Sequence, residues 1–162
     1  MLKIKVMKRI LDCTCGFRGM WFNKDHPDVI YTDKRSVVYR DLEGYEGRVI
    51  DITPDVVADF TDLPFNDESF YLVVFDPPHL KNLGSNSIMA KKYGKLFADC
   101  ETDIRAGFDE CMRVLKPNGV LIFKWNERDI KTGDVVRAIG RTPLFGHPSG
   151  SNAQTIWMTF MK

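Results

Sequence analysis

The residues best suited to chemistry in this chain are acids placed where short apolar runs end. Asp12 closes one such run, Asp33 a second, Asp59 follows a third, and Asp76 closes the most apolar of all, Tyr71-Leu-Val-Val-Phe75. If those runs are neighbouring parallel strands, their carboxyl ends share one edge, and ligands settle in the crevice outside that edge. An acid at each strand end then offers hydrogen-bond acceptors to a nucleoside. Asp33 stands about twenty residues after the first strand exit, the spacing at which an acid takes the ribose hydroxyls, with Lys34 beside it. A helix N-cap is its plainer role. Asp59-Phe60 can meet an adenine, the carboxylate taking the exocyclic amine and the ring lying on its face; simple core packing is the alternative for Phe60.

The loop after the first strand, Asp12-Cys-Thr14-Cys15-Gly16-Phe-Arg-Gly19, is made of small residues and two glycines. Backbone without a Cβ allows a ligand to lie close. The loop is neither Gly-x-Gly-x-x-Gly nor a phosphate-binding Gly-x-x-x-x-Gly-Lys-Ser/Thr, so a ligand without phosphates is favoured; a tight turn explains the same residues. At Asp76-Pro77-Pro78-His79 two prolines forbid further ladder pairing, so the segment terminates its strand at the same edge.

The elements that must position these groups alternate between short apolar strands and helical or loop segments, the α/β signature. Strands are expected at about 8–13, 29–32, 56–60, 71–75, 120–125, 142–145 and 155–161. Helices are expected at 101–115, with Ile104, Phe108, Cys111, Met112 and Leu115 on one face, and at 129–139. Lys116-Pro-Asn-Gly119 reads as a turn. The 80–98 connection is long for a compact domain, as lids and binding loops are. It holds Lys81, Lys91, Lys92 and Lys95 with no acid, besides Tyr93, a composition suited to phosphates and a base and equally to a solvated surface helix.

With 162 residues, 44% hydrophobic and 28% charged, the sequence fits one domain over 1–162 with one core. No run approaches the ~20 apolar residues of a membrane span. The N-terminal residues lack a signal-peptide core, so a cytoplasmic location and no membrane partner are expected. The four cysteines and three histidines lack the paired spacing of a metal site; no metal is expected. A net charge of +1 argues against an obligatory polyanion binder while leaving local patches open.

Taken together, Leu11-Asp-Cys-Thr-Cys-Gly16, Tyr31-Thr-Asp33, Ala58-Asp-Phe60, Leu63-Pro-Phe-Asn-Asp-Glu-Ser-Phe70 and Val114-Leu-Lys-Pro-Asn-Gly119 resemble class I S-adenosylmethionine-dependent methyltransferases, from about Lys8 to the C-terminus. The resemblance implies a Rossmann-like seven-stranded, mostly parallel sheet with an antiparallel C-terminal strand and helices on both faces. It implies S-adenosyl-L-methionine as cofactor, held by Asp12, Thr14, Cys15, Gly16, Asp33, Lys34, Asp59, Phe60 and Asp76.

Members that methylate exocyclic amines of adenine or cytosine carry Asp/Asn/Ser-Pro-Pro followed by Tyr, Phe or Trp where Asp76-Pro77-Pro78-His79 stands. There the Asp76 carboxylate and the Pro77 carbonyl accept the two N–H bonds of the amine, favouring the tetrahedral nitrogen that attacks the methyl group. The fourth residue stacks on an unpaired base. His79 departs from that pattern; an imidazole is flat but smaller, and it also hydrogen-bonds or titrates near neutral pH. The expected substrate is thus an exocyclic amine of a nucleobase in DNA or RNA, adenine favoured, with an amine of a protein side chain or a small molecule as the alternative. An inactive cofactor-binding subunit is a further reading.

Lys124, Trp125 and Asn126 end the fifth strand, and His147 lies in the connection between the last two; with Lys81, Lys91, Lys92 and Tyr93 they are the expected substrate contacts. No separate recognition region is expected within these residues, so the chain would be unselective, recognise short contexts through its loops, or borrow a partner subunit that selects the target.

Overall fold

The structure is a computed structural model that describes residues 7–81, 83–84, 87–95, 100–150, 152 and 154–162. Its strands are β1 (Ile10–Asp12), β2 (Val29–Asp33), β3 (Val37–Tyr39), β4 (Ile50–Ile52), β5 (Val56–Val57), β6 (Phe70–Phe75), β7 (Leu115–Asn126), β8 (Phe145–Ser149) and β9 (Thr155–Met161). The helices are α1 (Ile88–Tyr93), α2 (Cys100–Val114) and α3 (Thr132–Ile139).

Seven strands form one sheet in the order β5-β2-β1-β6-β7-β9-β8, and β3 and β4 form a separate antiparallel pair. β5, β2, β1, β6 and β7 are mutually parallel, and β9 runs antiparallel to both β7 and β8. This is the Rossmann-like arrangement expected. β1 and β6 lie at the middle, where near-continuous apolar sequence is required. Asp12 is level with Val74 and Tyr31, so the ends of β1, β2 and β6 share an edge.

The core lies on the face of the sheet covered by α2, which packs on β6 and β7 and against α3. Leu121, Phe123 and Trp125, at alternate positions of β7, point into it and are fully buried, as are Phe75 and Phe108. Each such ring is worth roughly 1.5–3 kcal/mol relative to exposure. The Leu63–Phe70 segment is tied to α2 by Arg113, whose guanidinium donates to the carbonyls of Leu63 (2.9 Å) and Phe65 (2.8 Å) and to Glu110 and Asp67. These carboxylates raise the Arg113 pKa further, so the clamp keeps its charge.

Several elements depart from expectation for local reasons. The third strand stops at Val57 because Asp59 folds into a turn, its carboxylate accepting from the Thr61 N–H (3.0 Å) and hydroxyl (2.9 Å). The residues 116–119, expected as a turn, lie instead within β7, at an irregularity where pairing jumps from Phe70 with Leu115 to Leu72 with Val120. The sixth strand falls at Phe145–Ser149 rather than 142–145. Gly146 and Pro148 read as turn residues, yet β8 pairs on one side only, and an edge strand tolerates a proline that cannot donate. The β3–β4 pair and α1 were not among the expected elements. α1 buries no side chain, so it carries no apolar stripe to read; it is set by Ser87, whose hydroxyl accepts from the Met89 N–H, and ends at Gly94.

Gly107 on α2 permits the closest approach of the helix to the sheet. A Cβ there would stand 2.4 Å from the Phe60 ring and 2.9 Å from that of Phe75, and both rings are buried. Gly107→Ala is therefore expected to destabilise the protein by about 1–3 kcal/mol through overpacking, despite the ~1 kcal/mol that alanine gains over glycine in a helix. Urea denaturation checks it; a higher midpoint would show that the rings can yield.

Candidate active site

The carboxyl edge of β1, β2 and β6 opens into a cavity of about 640 Å³, within the usual range for a small-molecule cleft. It is lined by the loop after β1, with Thr14, Cys15, Gly16, Phe17 and Met20. Asp33 with Lys34 and Arg35 forms one wall, Phe60 another, and Asp76, Pro78 and Lys124 lie at the end of β6 and β7. Ala90, Lys92, Tyr93, Gly94 and Lys95 of α1 and its C-terminal end close over it.

Asp33 organises the nucleoside side of this cavity. One carboxylate oxygen accepts from the Arg35 backbone N–H and Nε, both at 2.9 Å; the other accepts from the Gly16 N–H (3.1 Å) and an Arg35 terminal nitrogen (3.0 Å). Arg35 also donates to the Lys91 carbonyl (3.0 Å), tying α1 to the end of β2. Gly16 has φ +51°, and a Cβ there would stand 3.4 Å from the Lys92 carbonyl. The glycine suits the left-handed conformation, while a Cβ would meet α1 only at ordinary contact distance.

On the opposite side, Asp76 is largely buried and paired with Lys124, Nζ to Oδ2 at 2.6 Å. Its backbone N–H donates to the Thr14 hydroxyl (2.8 Å), fixing the chain as it leaves β6. Burial pushes its carboxyl pKa up, and the Lys124 ammonium opposes that shift without cancelling it. The Cys15 thiol is pushed well up by burial, so it is no ready nucleophile.

Of the expected residues, Thr14, Cys15, Gly16, Asp33, Lys34, Phe60, Asp76, Pro78, Lys92, Tyr93 and Lys124 line the cavity. Others lie outside it, each for a visible reason. Asp12 is fully buried beneath the loop and accepts from the Trp21 indole N–H (2.6 Å) and the Thr14 N–H (3.2 Å). Asp59 is spent on Thr61 and lies 3.7 Å from the Lys34 ammonium. Pro77 is buried, and of the two prolines only Pro78 lines the cavity.

His79 is half-buried, its ring 6.3 Å from Trp125 and 6.4 Å from Tyr93; burial lowers its pKa despite Asp76. Trp125 belongs to the core, with its indole N–H on the Ile130 carbonyl (3.0 Å). Asn126 is committed to Thr155 and Arg128. The exposed Lys81 donates its backbone N–H to Asp129, and the Lys91 ammonium rests over Tyr39. His147 is exposed on β8, opposite Trp157, not in a loop. Arg35, Phe17 and Met20 were missed as lining residues; the i, i+2 pairing of Arg35 with Asp33 was the available signal for the first.

Burial raises the Asp12 carboxyl to about 7, against an ordinary 3.8. A raised acid stabilises the fold below its unfolded value, and that contribution is lost as pH rises through the folded one. Stability is thus expected to fall between pH 4 and 7 by roughly a few kcal/mol at most, and Asp12→Asn should flatten that slope. Urea midpoints across this range test it; parallel curves for the two proteins would contradict it.

Neither a protein-family model nor a curated protein matches the sequence. The fold, in contrast, is shared with solved structures that include S-adenosylmethionine-dependent methyltransferases. The PH0226 protein of Pyrococcus horikoshii OT3 superposes with a TM-score of 0.62 at 14% identity, covering 98% of this chain and 83% of that one. A TehB-like S-adenosylmethionine-dependent methyltransferase from Corynebacterium glutamicum gives 0.56 at 19% identity, covering 96% and 80%. The N-methyltransferase NodS of Bradyrhizobium japonicum WM9 gives 0.54 at 14%, covering 96% and 85%, and its complex with S-adenosyl-L-homocysteine matches too. Among the described residues no helix is long and apolar enough to cross a membrane, and no cluster of His, Cys, Asp and Glu is arranged for a metal.

Proposed function

We propose that this protein transfers a methyl group from S-adenosyl-L-methionine to an exocyclic amine of a nucleobase, adenine favoured, in DNA or RNA. The observation that carries the reading is the pairing of two carboxylates at one crevice. Asp33 sits by the small-residue loop and Asp76 begins a Pro-Pro segment across the cavity. The residues present suit the cofactor: Gly16 and Thr14 line the cavity beside Asp33, whose carboxylate would exchange hydrogen bonds from Arg35 for ribose hydroxyls, and the Phe60 ring would offer an adenine a flat face.

When bound, the cofactor supplies an electrophilic methyl group on a sulfonium. The protein's own work is on the nucleophile. An amine conjugated to a ring attacks poorly, and acceptors at Asp76 and the Pro77 carbonyl would draw its N–H bonds and favour a tetrahedral nitrogen. Lys124 holds one Asp76 oxygen and opposes the rise in pKa that burial causes. The prolines fix the carbonyl before substrate arrives, so little ordering remains for the transition state. Tyr93 and Phe17, rings that line the cavity, are better placed than His79, which does not line it, to stack on a base.

A cytoplasmic location and a partner subunit that selects the target belong to the same reading. Incubation with methyl-labelled S-adenosylmethionine and separate pools of DNA, RNA, protein and small metabolites tests it. Label in nucleic acid is expected; label confined to protein or metabolites would replace the substrate, and label in none would return the protein to a cofactor-binding role.

A further inference from the structure

Rings and cations alternate along the rim of the cavity and continue beyond it. The Lys92 ammonium stands 4.5 Å from the centre of the Tyr45 ring and 5.9 Å from that of Phe17. Lys24 stands 5.8 Å from Phe17, Arg48 5.0 Å from Tyr45, and Lys91 5.7 Å from Tyr39. Phe17 meets Tyr93 edge-on at 5.7 Å. Three separate pieces of chain build this row: the loop after β1, α1, and the β3–β4 hairpin with its connection. Phe17, Lys92 and Tyr93 also line the cavity that contains Asp76. The row therefore starts inside the site and runs out over a hairpin that the methyl-transfer reading leaves without a task.

The charges nearby narrow the partner. Asp25 is held by Arg18 (3.1 Å), and the Glu46 carboxylate turns back onto the Gly44 N–H (2.7 Å). Asp41 and Glu43 stay exposed on the same connection, so the rim is no uniform sink for polyanions. What distinguishes it is alternation, with flat faces between positive charges. Single-stranded nucleic acid presents that pattern, unstacked bases between phosphates. A duplex hides its base faces, and an acidic protein has no row of flat groups.

We infer that this rim is a track for single-stranded nucleic acid, with phosphates at Lys24, Arg48 and Lys91 and bases on Tyr39, Tyr45 and Phe17. Its last step, delivery of one unstacked base to Asp76, rests on the nucleobase reading above. The binding surface itself is open to test without catalysis.

The test is fluorescence anisotropy of a fluorescein-labelled, mixed-sequence single-stranded oligonucleotide, as DNA and as RNA, over a salt series. Replacing Lys24, Arg48 and Lys91 together with alanine is expected to lower the slope of log affinity against log salt by about 2, since each phosphate contact on a single strand contributes about 0.7. Tyr45→Ala is expected to weaken binding roughly tenfold through lost stacking with the slope unchanged. The cofactor dissociation constant of both variants should match wild type, which shows an intact fold. Equal affinity for the matching duplex, competition by polyglutamate as effective as by oligonucleotide, no binding at all, or variants that bind like wild type would each overturn the track. Track-dependent binding with no methyl transfer to nucleic acid would sink the nucleobase reading and keep the track. Transfer to nucleic acid with kcat/KM untouched by these variants would do the reverse.

Discussion

Asp76→Ala is expected to lower kcat for methyl transfer by about 10²–10³-fold, the loss seen when one preorganised polar group at a reacting centre is removed. The dissociation constant for S-adenosylhomocysteine should change far less, because the proposed ribose and adenine contacts, at Asp33 and Phe60, are formed by other elements of the cavity wall. Removing the carboxylate also strands the half-buried Lys124 ammonium, its partner at 2.6 Å, and that alone can cost stability. Asp76→Ala combined with Lys124→Met separates the two effects: the fold should recover and turnover should not. Asp76→Asn keeps a carbonyl acceptor and should lose less than the alanine variant.

The pH dependence has a defined sign. The carboxyl of Asp76 is raised by burial, so activity that needs the carboxylate should climb with pH through a limb above the ordinary Asp range. Lys124→Met removes the charge that opposes the shift and should move that limb higher still. A pH–rate profile that is the same in both proteins would show that Asp76 does not act as a carboxylate.

The second large effect is on cofactor binding. Asp33→Ala removes both candidate ribose acceptors and unties three things at once: the Gly16 N–H, the Arg35 side chain and, through Arg35, the Lys91 carbonyl on α1. Hydrogen bonds to charged groups are worth roughly 1.5–3 kcal/mol each, so the dissociation constant for S-adenosylmethionine should rise at least about a hundredfold in isothermal calorimetry. Arg35→Gln preserves the carboxylate and loses only the clamp, and its effect should be clearly smaller. Equal losses in the two variants would mean that Asp33 serves α1 and not the ligand.

The sheet was legible because its inner strands are short apolar runs ending in acids, and parallel strands covered by helix must be apolar. The C-terminal strand was placed at Thr155–Met161, as found. What escaped had no periodic signal. α1 buries no side chain, and in the β3–β4 pair only Ile50 and Ile52 are buried, either side of an exposed Asp51. Edge strand β8 hid behind a glycine and a proline that usually mark turns.

The cavity was legible where position along a strand decides what lines it, as at Asp33 and Asp76. It was not where a side chain's partner decides. Asp12 ends its strand as the others do, yet Trp21, nine residues on, turns it into a buried support for Thr14. Trp125 alternates with Lys124 on β7, and that single step puts one in the core and the other in the cavity. Arg35 is paired with Asp33 two residues before it, but its bond to α1 joins segments 56 residues apart, which no local pattern shows.

The central claim is that Asp76 presents an exocyclic nucleobase amine to the methyl donor. The most direct measurement is mass spectrometry of nucleosides after incubating a single-stranded adenine-containing oligonucleotide with deuteromethyl S-adenosylmethionine, for wild type and Asp76→Ala. The expected product is adenine carrying the deuterated methyl on its N6 amine, formed by wild type and reduced at least about a hundredfold in the variant. Unmodified nucleosides with wild type, methyl on a ring nitrogen or carbon, or equal product from both proteins would contradict it.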